Sequence, residues 1–173
     1  MANIDSEILR EFQTESKILI AKMVQILESC EGNFDQVQSL EEYGLNVDRI
    51  MGAAKSLALN EKPGELIHKI ADYAAICKAV GYKSSQIRNN EQFYDICVAL
   101  LLDGTEVLQT MIASLSKPVE IKELFSKTFL ERLRWVSSEF GADVRGSLDV
   151  NKGQKAKLSQ NDIDDLLKKL GLD

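Results

Sequence analysis

Apolar residues recur along this chain at helical spacing, and no stretch alternates with the period of two that a half-buried strand requires. The first stretch runs from about Ile4 to Cys30. Ile4, Ile8, Phe12, Leu19, Met23, Leu27 and Cys30 are separated by steps of three, four and seven, with Glu7, Arg10, Glu11 and Gln13 on the opposite side. Glu31-Gly32-Asn33 supplies a stop. A second helix is predicted over about Val37–Leu59, with Leu40, Val47, Ile50, Ala54 and Leu57 inward and Gly44 as a candidate interruption. Pro63 is placed to open a third helix carrying Leu66, Ile70, Tyr73, Cys77 and Val80, since a first helical turn accepts proline.

Asn89-Asn90 offers an N-cap to a fourth helix with Phe93, Ile96, Cys97, Leu100, Leu101, Leu108, Met111 and Leu115 on its apolar face. Pro118 opens a fifth with Ile121, Leu124, Phe125, Leu133, Val136 and Phe140, stopped by Gly141. The expected architecture over residues 1–140 is an all-α, antiparallel four- or five-helix bundle with short connections.

After Gly141 the pattern changes. Residues 141–157 have no periodic apolar face and read as a flexible linker. In residues 158–173 a short amphipathic helix follows: Ser159 can cap it, with Asp162 three residues on. Ile163, Leu166, Leu167 and Leu170 fall at i, i+3, i+4 and i+7, Lys168 and Lys169 suit the C-terminal end of the dipole, and Gly171 ends it. Such a helix is too short to persist alone in water, where about 12–15 residues is marginal. Its stripe needs a groove, either on its own bundle or on a partner.

Composition narrows the possibilities. At 173 residues, 45% hydrophobic and 28% charged, the chain can bury one domain-sized core but not comfortably two. Two prolines, ten glycines and 6% aromatics argue against a β-sandwich or barrel. A net charge of −6 and a pI near 5.0 do not suit nucleic acid or an anionic membrane surface, so neither is expected as a partner. The longest wholly apolar run, Ile96 to Leu102, falls well short of the roughly 20 residues that span a bilayer. Met1-Ala2-Asn3-Ile4-Asp5 lacks the basic start and apolar stretch of a signal peptide. Cys30, Cys77 and Cys97 have no paired spacing and read as buried thiols in a reducing compartment, which implies a cytosolic protein. A single histidine, His68, rules out a His-rich zinc site, and no Gly-rich phosphate loop is present. No cofactor is expected to be bound by this chain.

Two resemblances add to this. The tail Ser159-Gln160-Asn161-Asp162-Ile163-Asp164-Asp165-Leu166-Leu167-Lys168-Lys169-Leu170-Gly171 resembles the C-terminal peptide of the chemotaxis phosphatase CheZ and the N-terminal peptide of the flagellar switch protein FliM. Peptides of both families bind the phosphorylated response regulator CheY. The bundle resembles the histidine phosphotransfer domain at the front of the chemotaxis kinase CheA. Phe12, Glu15 and Leu19 stand like its F-x-x-E-x-x-x-L pattern. Its phosphorylated helix, F-R-A-A-H-S-I-K-G, is answered by Met51-Gly52-Ala53-Ala54-Lys55-Ser56-Leu57-Ala58-Leu59.

The phosphoacceptor position is therefore Lys55, and the glycines that admit a regulator are replaced by Ala58 and Leu59. A lysine ammonium is not nucleophilic and cannot relay phosphate as imidazole does. The resemblance implies a phosphotransfer scaffold that has lost phosphotransfer. His68 has two readings: a boundary histidine hydrogen-bonded to Asp72, or a displaced phosphoacceptor.

Together the resemblances imply a CheY-type response regulator as partner, holding its own Mg²⁺. They also imply either of two roles: acceleration of CheY-phosphate hydrolysis, or non-catalytic binding as an adaptor. A homodimer is an option, since CheZ is dimeric whereas phosphotransfer domains are often monomers. A phosphatase need only position a water, usually with a side-chain amide near a charged partner. The D-x-x-x-Q motif of CheZ has no clear copy here.

Asp48, Gly52, Lys55 and Leu59 follow one stripe of the second helix, flanked by Ser56 and Asn60, and Asn60 with Lys55 is the first candidate for the catalytic pair. Glu42 with Asn46, and Glu106 with Gln109, are the alternatives. For the tail, Ile163, Leu166, Leu167 and Leu170 are expected to supply apolar contact. Ser159, Gln160, Asp162, Asp164 and Asp165 are expected to complete the partner-binding surface, the aspartates meeting basic groups.

Overall fold

A computed structural model describes residues 4–117, 120–141 and 160–172. Among these the chain is helical, with no strand: α1 (Ser6–Cys30), α2 (Ser39–Ala58), α3 (Leu66–Ser84), α4 (Glu91–Ala113), α5 (Ile121–Leu124), α6 (Lys127–Gly141) and α7 (Gln160–Lys169). Single 3₁₀ turns at Phe34–Gln36 and Ser114–Ser116 lead into α2 and out of α4. The four long helices pack in a ring, α1 on α2, α2 on α3, α3 on α4 and α4 on α1, with α6 along α4 and α7 against α3 and α6.

Helices α1 and α4 begin at capping side chains. Asp5 accepts the Glu7 N–H at 2.8 Å and Asn90 accepts that of Phe93 at 3.0 Å, each satisfying a donor the helix leaves open. Two boundaries and one buried face differ from the sequence expectation. Pro63 lies in the turn before α3 rather than in its first turn, because Gly64 at φ +94° bends the chain there. The expected fifth helix is two: Ser126 Oγ accepts the Phe129 N–H at 3.0 Å and starts α6 afresh after α5. Pro118 lies outside the described residues. Ile8, expected on the inward face of α1, is 48% exposed, whereas Ser16 and Ile20 are buried.

Gly44 does not interrupt α2. It and Gly81 of α3 let two tyrosine rings lie flat against the opposing helix. A Cβ at Gly81 would sit 2.7 Å from Tyr43 Cδ1, and one at Gly44 would sit 3.1–3.2 Å from the ring of Tyr82. These reciprocal contacts draw α2 and α3 together more extensively than any other pair. The Lys78–Asp48 ion pair at 2.7 Å continues the seam. Since 43 meets 81 and 48 meets 78, the two helices run antiparallel.

Inside the ring three tyrosine hydroxyls are hydrogen-bonded. Tyr43 Oη and Thr105 Oγ1 are 2.9 Å apart, Tyr73 donates to the Gly104 carbonyl at 2.7 Å, and Tyr94 reaches the carbonyls of Cys30 (2.6 Å) and Asn33 (2.9 Å). The last pair of contacts closes the C-terminal end of α1, where helix carbonyls are otherwise unpaired. Residues Glu91–Ser116 are long and apolar enough to cross a membrane by length and composition. In this fold α4 packs against α1, α3 and α6, with Phe93, Tyr94, Leu100, Leu101, Leu108 and Met111 buried.

Candidate functional site

The sequence singled out three acid–amide or lysine–amide pairs, and the fold separates them. Lys55 lies exposed in the last turn of α2, and Asn60 lies exposed in the turn that follows. Around them α2 presents Gly52, where a Cβ would meet nothing within 4 Å, and Leu59, which is 81% exposed. Asp48, on the same stripe, is held by Lys78. This end of α2 is therefore an accessible face with one large apolar side chain, one cation and one amide.

Asn46, by contrast, is 8% exposed, and its Nδ2 donates to the Glu42 main-chain carbonyl at 2.8 Å. Its amide is engaged within its own helix, facing inward, while the Glu42 side chain faces solvent. Helical spacing places i and i+4 on one side, but Asn46 lies at the rim of the core. Glu106 and Gln109 are both exposed on α4. That helix lies across the ring from α2, the two meeting inside through Tyr43 and Thr105, so their outer faces look in different directions. Glu106 lines a shallow groove between α4 and α6 with Asp103, Thr110, Phe129 and Arg132, where Arg132 already pairs with Asp103 at 2.6 Å.

His68 is half-buried near the start of α3, and its Nε2 lies 3.1 Å from the Glu61 carbonyl oxygen. The imidazole ties down the turn that carries Asn60, one residue before Glu61, instead of spending Nε2 on Asp72. Glu61 itself is 8% exposed, with Oε1 buried and without a hydrogen-bond partner. Asp72 is one turn further along α3. Burial pushes its carboxyl above the ordinary range, and the charges that oppose this are, in order, Lys169, His68 and Lys55. The cations that act on Asp72 come from three helices: Lys55 of α2, His68 of α3 and Lys169 of α7.

The tail supplies that third cation. Ile163, Leu167 and Leu170 are each 1% exposed and Leu172 is 5% exposed, all within the single core of the molecule. Leu166 and Asp164 are half-buried and Asp165 faces solvent. Of the two grooves open to the stripe, the structure fills the one on the chain's own bundle. Its end is a Schellman motif: Gly171 at φ +78°, Leu172 N–H donating to the Leu167 carbonyl and Gly171 N–H to that of Lys168, both at 2.9 Å. Arg134 of α6 then donates through Nη2 to the Leu172 carbonyl at 3.0 Å. Ser159 lies outside the described residues; Gln160 and Asp162 are in α7, but their side chains are not described.

Two features were not anticipated. Arg134 carries no motif, and an isolated arginine on an amphipathic helix gives no signal in sequence. Asp72 was named only beside His68, because the approach of Lys169 depends on a contact nearly a hundred residues away in sequence. Among the described residues no group of three or more His, Cys, Asp or Glu side chains is placed to hold a metal ion. No protein-family model, curated protein or solved structure matches this chain.

Proposed function

We propose that this chain is a cytosolic chemotaxis signalling protein that binds a CheY-type response regulator through α7 and accelerates loss of its aspartyl phosphate. The observation that carries this reading is α7 itself. It is a compact amphipathic helix with its own terminator and a solvent-facing Asp165, separated from α6 in sequence by residues 142–159, and its sequence resembles two regulator-binding peptides.

The exposed end of α2 supports a site of action. A regulator already holds Mg²⁺ and the acyl phosphate, so the bundle need only orient water. The water oxygen bonds to phosphorus, the bond from phosphorus to the aspartyl oxygen breaks, the carboxylate leaves, and inorganic phosphate is released. In this reading Asn60 orients the water, Lys55 lies against the phosphoryl oxygens, and Leu59 contacts the regulator surface. The tail raises the local concentration of regulator at this face, as any covalent tether of suitable length does.

The second reading is an adaptor that localises the regulator without chemistry. It is favoured by the dispersal of the acid–amide pairs: Asn46 faces inward and Glu106 lies on the other side of the ring.

Decay of the phosphorylated regulator, with the full chain and with a chain ending at Gly153, separates the two. Faster decay that weakens on truncation, and that is lost in Asn60→Ala with binding kept, is the result expected of a phosphatase. Unchanged decay with intact binding leaves the adaptor.

A further inference from the structure

We propose that the groove between α3 and α6 is a binding site for an α7-type helix, which the chain fills with its own tail, so that bundle and response regulator compete for one apolar stripe. This rests on the reading of α7 as the regulator-binding element and adds a partner surface that the reading does not contain.

The competition follows from burial. Ile163, Leu167 and Leu170 are 1% exposed while α7 is seated, and they are the side chains the regulator would have to contact. A side chain cannot be buried against two surfaces at once, so the seated and regulator-bound states exclude one another. The groove is also built to receive this helix in one direction. Just past the C-terminal end of α7, Arg134 donates to the Leu172 carbonyl at 3.0 Å, and a cation there suits the partial negative charge of a helix C-terminus. On the α3 side, the positive charge of Lys169 in the last turn acts favourably on the half-buried Asp72 carboxylate. A cation for the carbonyl end and an anion for the last-turn lysine make a polar frame around an apolar floor.

The seat is poised to exchange. The α7 helix has ten residues, below the roughly 12–15 at which a helix is marginal alone, so much of the gain from burying four apolar side chains goes into ordering it. Seating also has a consequence for the proposed site. Lys169 acts electrostatically on the same Asp72 carboxylate as Lys55 and His68, so departure of the tail removes one of three cations from its field. Apparent affinity for the regulator equals the intrinsic affinity scaled by the unseated fraction of tail, so a tail seated nine parts in ten weakens binding about tenfold.

The test compares a synthetic peptide of residues 158–173, the full chain, and the full chain carrying Arg134→Ala or Asp72→Lys, both of which alter only the bundle side. Affinity is measured by titration with a CheY-type regulator held phosphorylated by acetyl phosphate and Mg²⁺. In parallel, amide hydrogen exchange across α7 is followed in each full-length protein without regulator, with circular dichroism as the check on folding. Expected are slow α7 exchange in the full chain and faster exchange in both variants. The full chain should bind the regulator at least fivefold more weakly than the peptide, with the variants recovering most of that difference. Exchange of the α7 amides at the rate of unstructured peptide overturns the seat whether or not any regulator binds. Equal affinity of peptide and full chain, with α7 protected, overturns the competition. If α7 is protected and released as expected but neither peptide nor chain binds the regulator, the regulator reading fails and the competitor named here falls with it.

Discussion

The ring of Tyr43 occupies the space that any side chain at Gly81 would need: a Cβ there would lie 2.7 Å from Tyr43 Cδ1, and the Tyr43 hydroxyl is meanwhile anchored at 2.9 Å to Thr105 across the core. A ring held at both ends cannot swing aside. Gly81→Ala gains the helix propensity of alanine, about 0.5–1 kcal/mol, but forces an overpacked contact that costs roughly 1–3 kcal/mol. A net loss of about 1–2 kcal/mol is expected. Gly52→Ala, where a Cβ meets nothing within 4 Å, is the control and should gain about 0.5–1 kcal/mol. Urea denaturation of both variants checks this, and a shift in the same direction for both would refute the packing argument.

The sequence spoke clearly wherever a residue acts on its own helix. Asn90 caps α4, Gly171 ends α7, and the stripes of α2, α3 and α4 are inward as their spacing requires. It was silent where two distant segments decide. Gly44 reads as a helix breaker until Tyr82 is seen lying on it, and Ser126 reads as one polar residue among many until it caps α6. The candidate site was legible in the same proportion. Lys55, Leu59 and Asn60 are exposed where the stripe put them, but Asn46 is drawn inward by a main-chain hydrogen bond. The seated α7 is held in part by the hydrogen bond from Arg134 to the Leu172 carbonyl, and Arg134 carries no local pattern.

The thiols make the core an alkaline weakness. Burial pushes Cys77 up to about 12, against hydrogen bonds from Tyr73 and Tyr43, and pushes Cys97 up to about 12 as well. Cys30 is raised by the same cause, and Tyr43 and Tyr73 are raised well above 10.0, again first by burial. All five groups bind their protons more tightly when folded. Their contribution to stability is whole below the unfolded thiol value, about 8.5, and is lost as pH rises through the folded values. Stability should therefore fall progressively above about pH 9, and a disulfide-exchange reagent should label no cysteine until the chain unfolds. Stoichiometric labelling at pH 8 without denaturant would show that the thiols are not sequestered.

His68 should behave as a positioning residue for the turn that carries Asn60. Its Nε2 faces the Glu61 carbonyl at 3.1 Å, so His68→Ala removes a hydrogen bond worth about 0.5–1.5 kcal/mol. His68→Gln, which keeps a donor, should restore most of that stability. If Asn60 orients the water, phosphate release should fall in the alanine variant, with regulator affinity unchanged, and should recover in the glutamine variant. Acid-labile phosphate on the wild-type chain after exposure to a phosphorylated regulator would instead make His68 an acceptor.

Gly171 offers a way to loosen the tail without touching either apolar surface. At φ +78° it adopts a conformation that costs an L-residue about 1–2 kcal/mol, and the two hydrogen bonds that close α7, from Leu172 to Leu167 and from Gly171 to Lys168, depend on it. Gly171→Ala should raise the ratio of unseated to seated tail about five- to thirtyfold, since 1.4 kcal/mol is a factor of ten. The bundle should hardly notice, because the α2–α3 seam and the tyrosine network lie elsewhere and a terminal helix opens at lower free energy than the core. Amide exchange should then accelerate across Ile163–Leu170 and stay unchanged in α2 and α4, with the same thermal midpoint. A lowered midpoint, with exchange faster throughout, would mean that α7 is an integral part of the bundle's cooperative unit, and a tail so placed could not be handed to a partner.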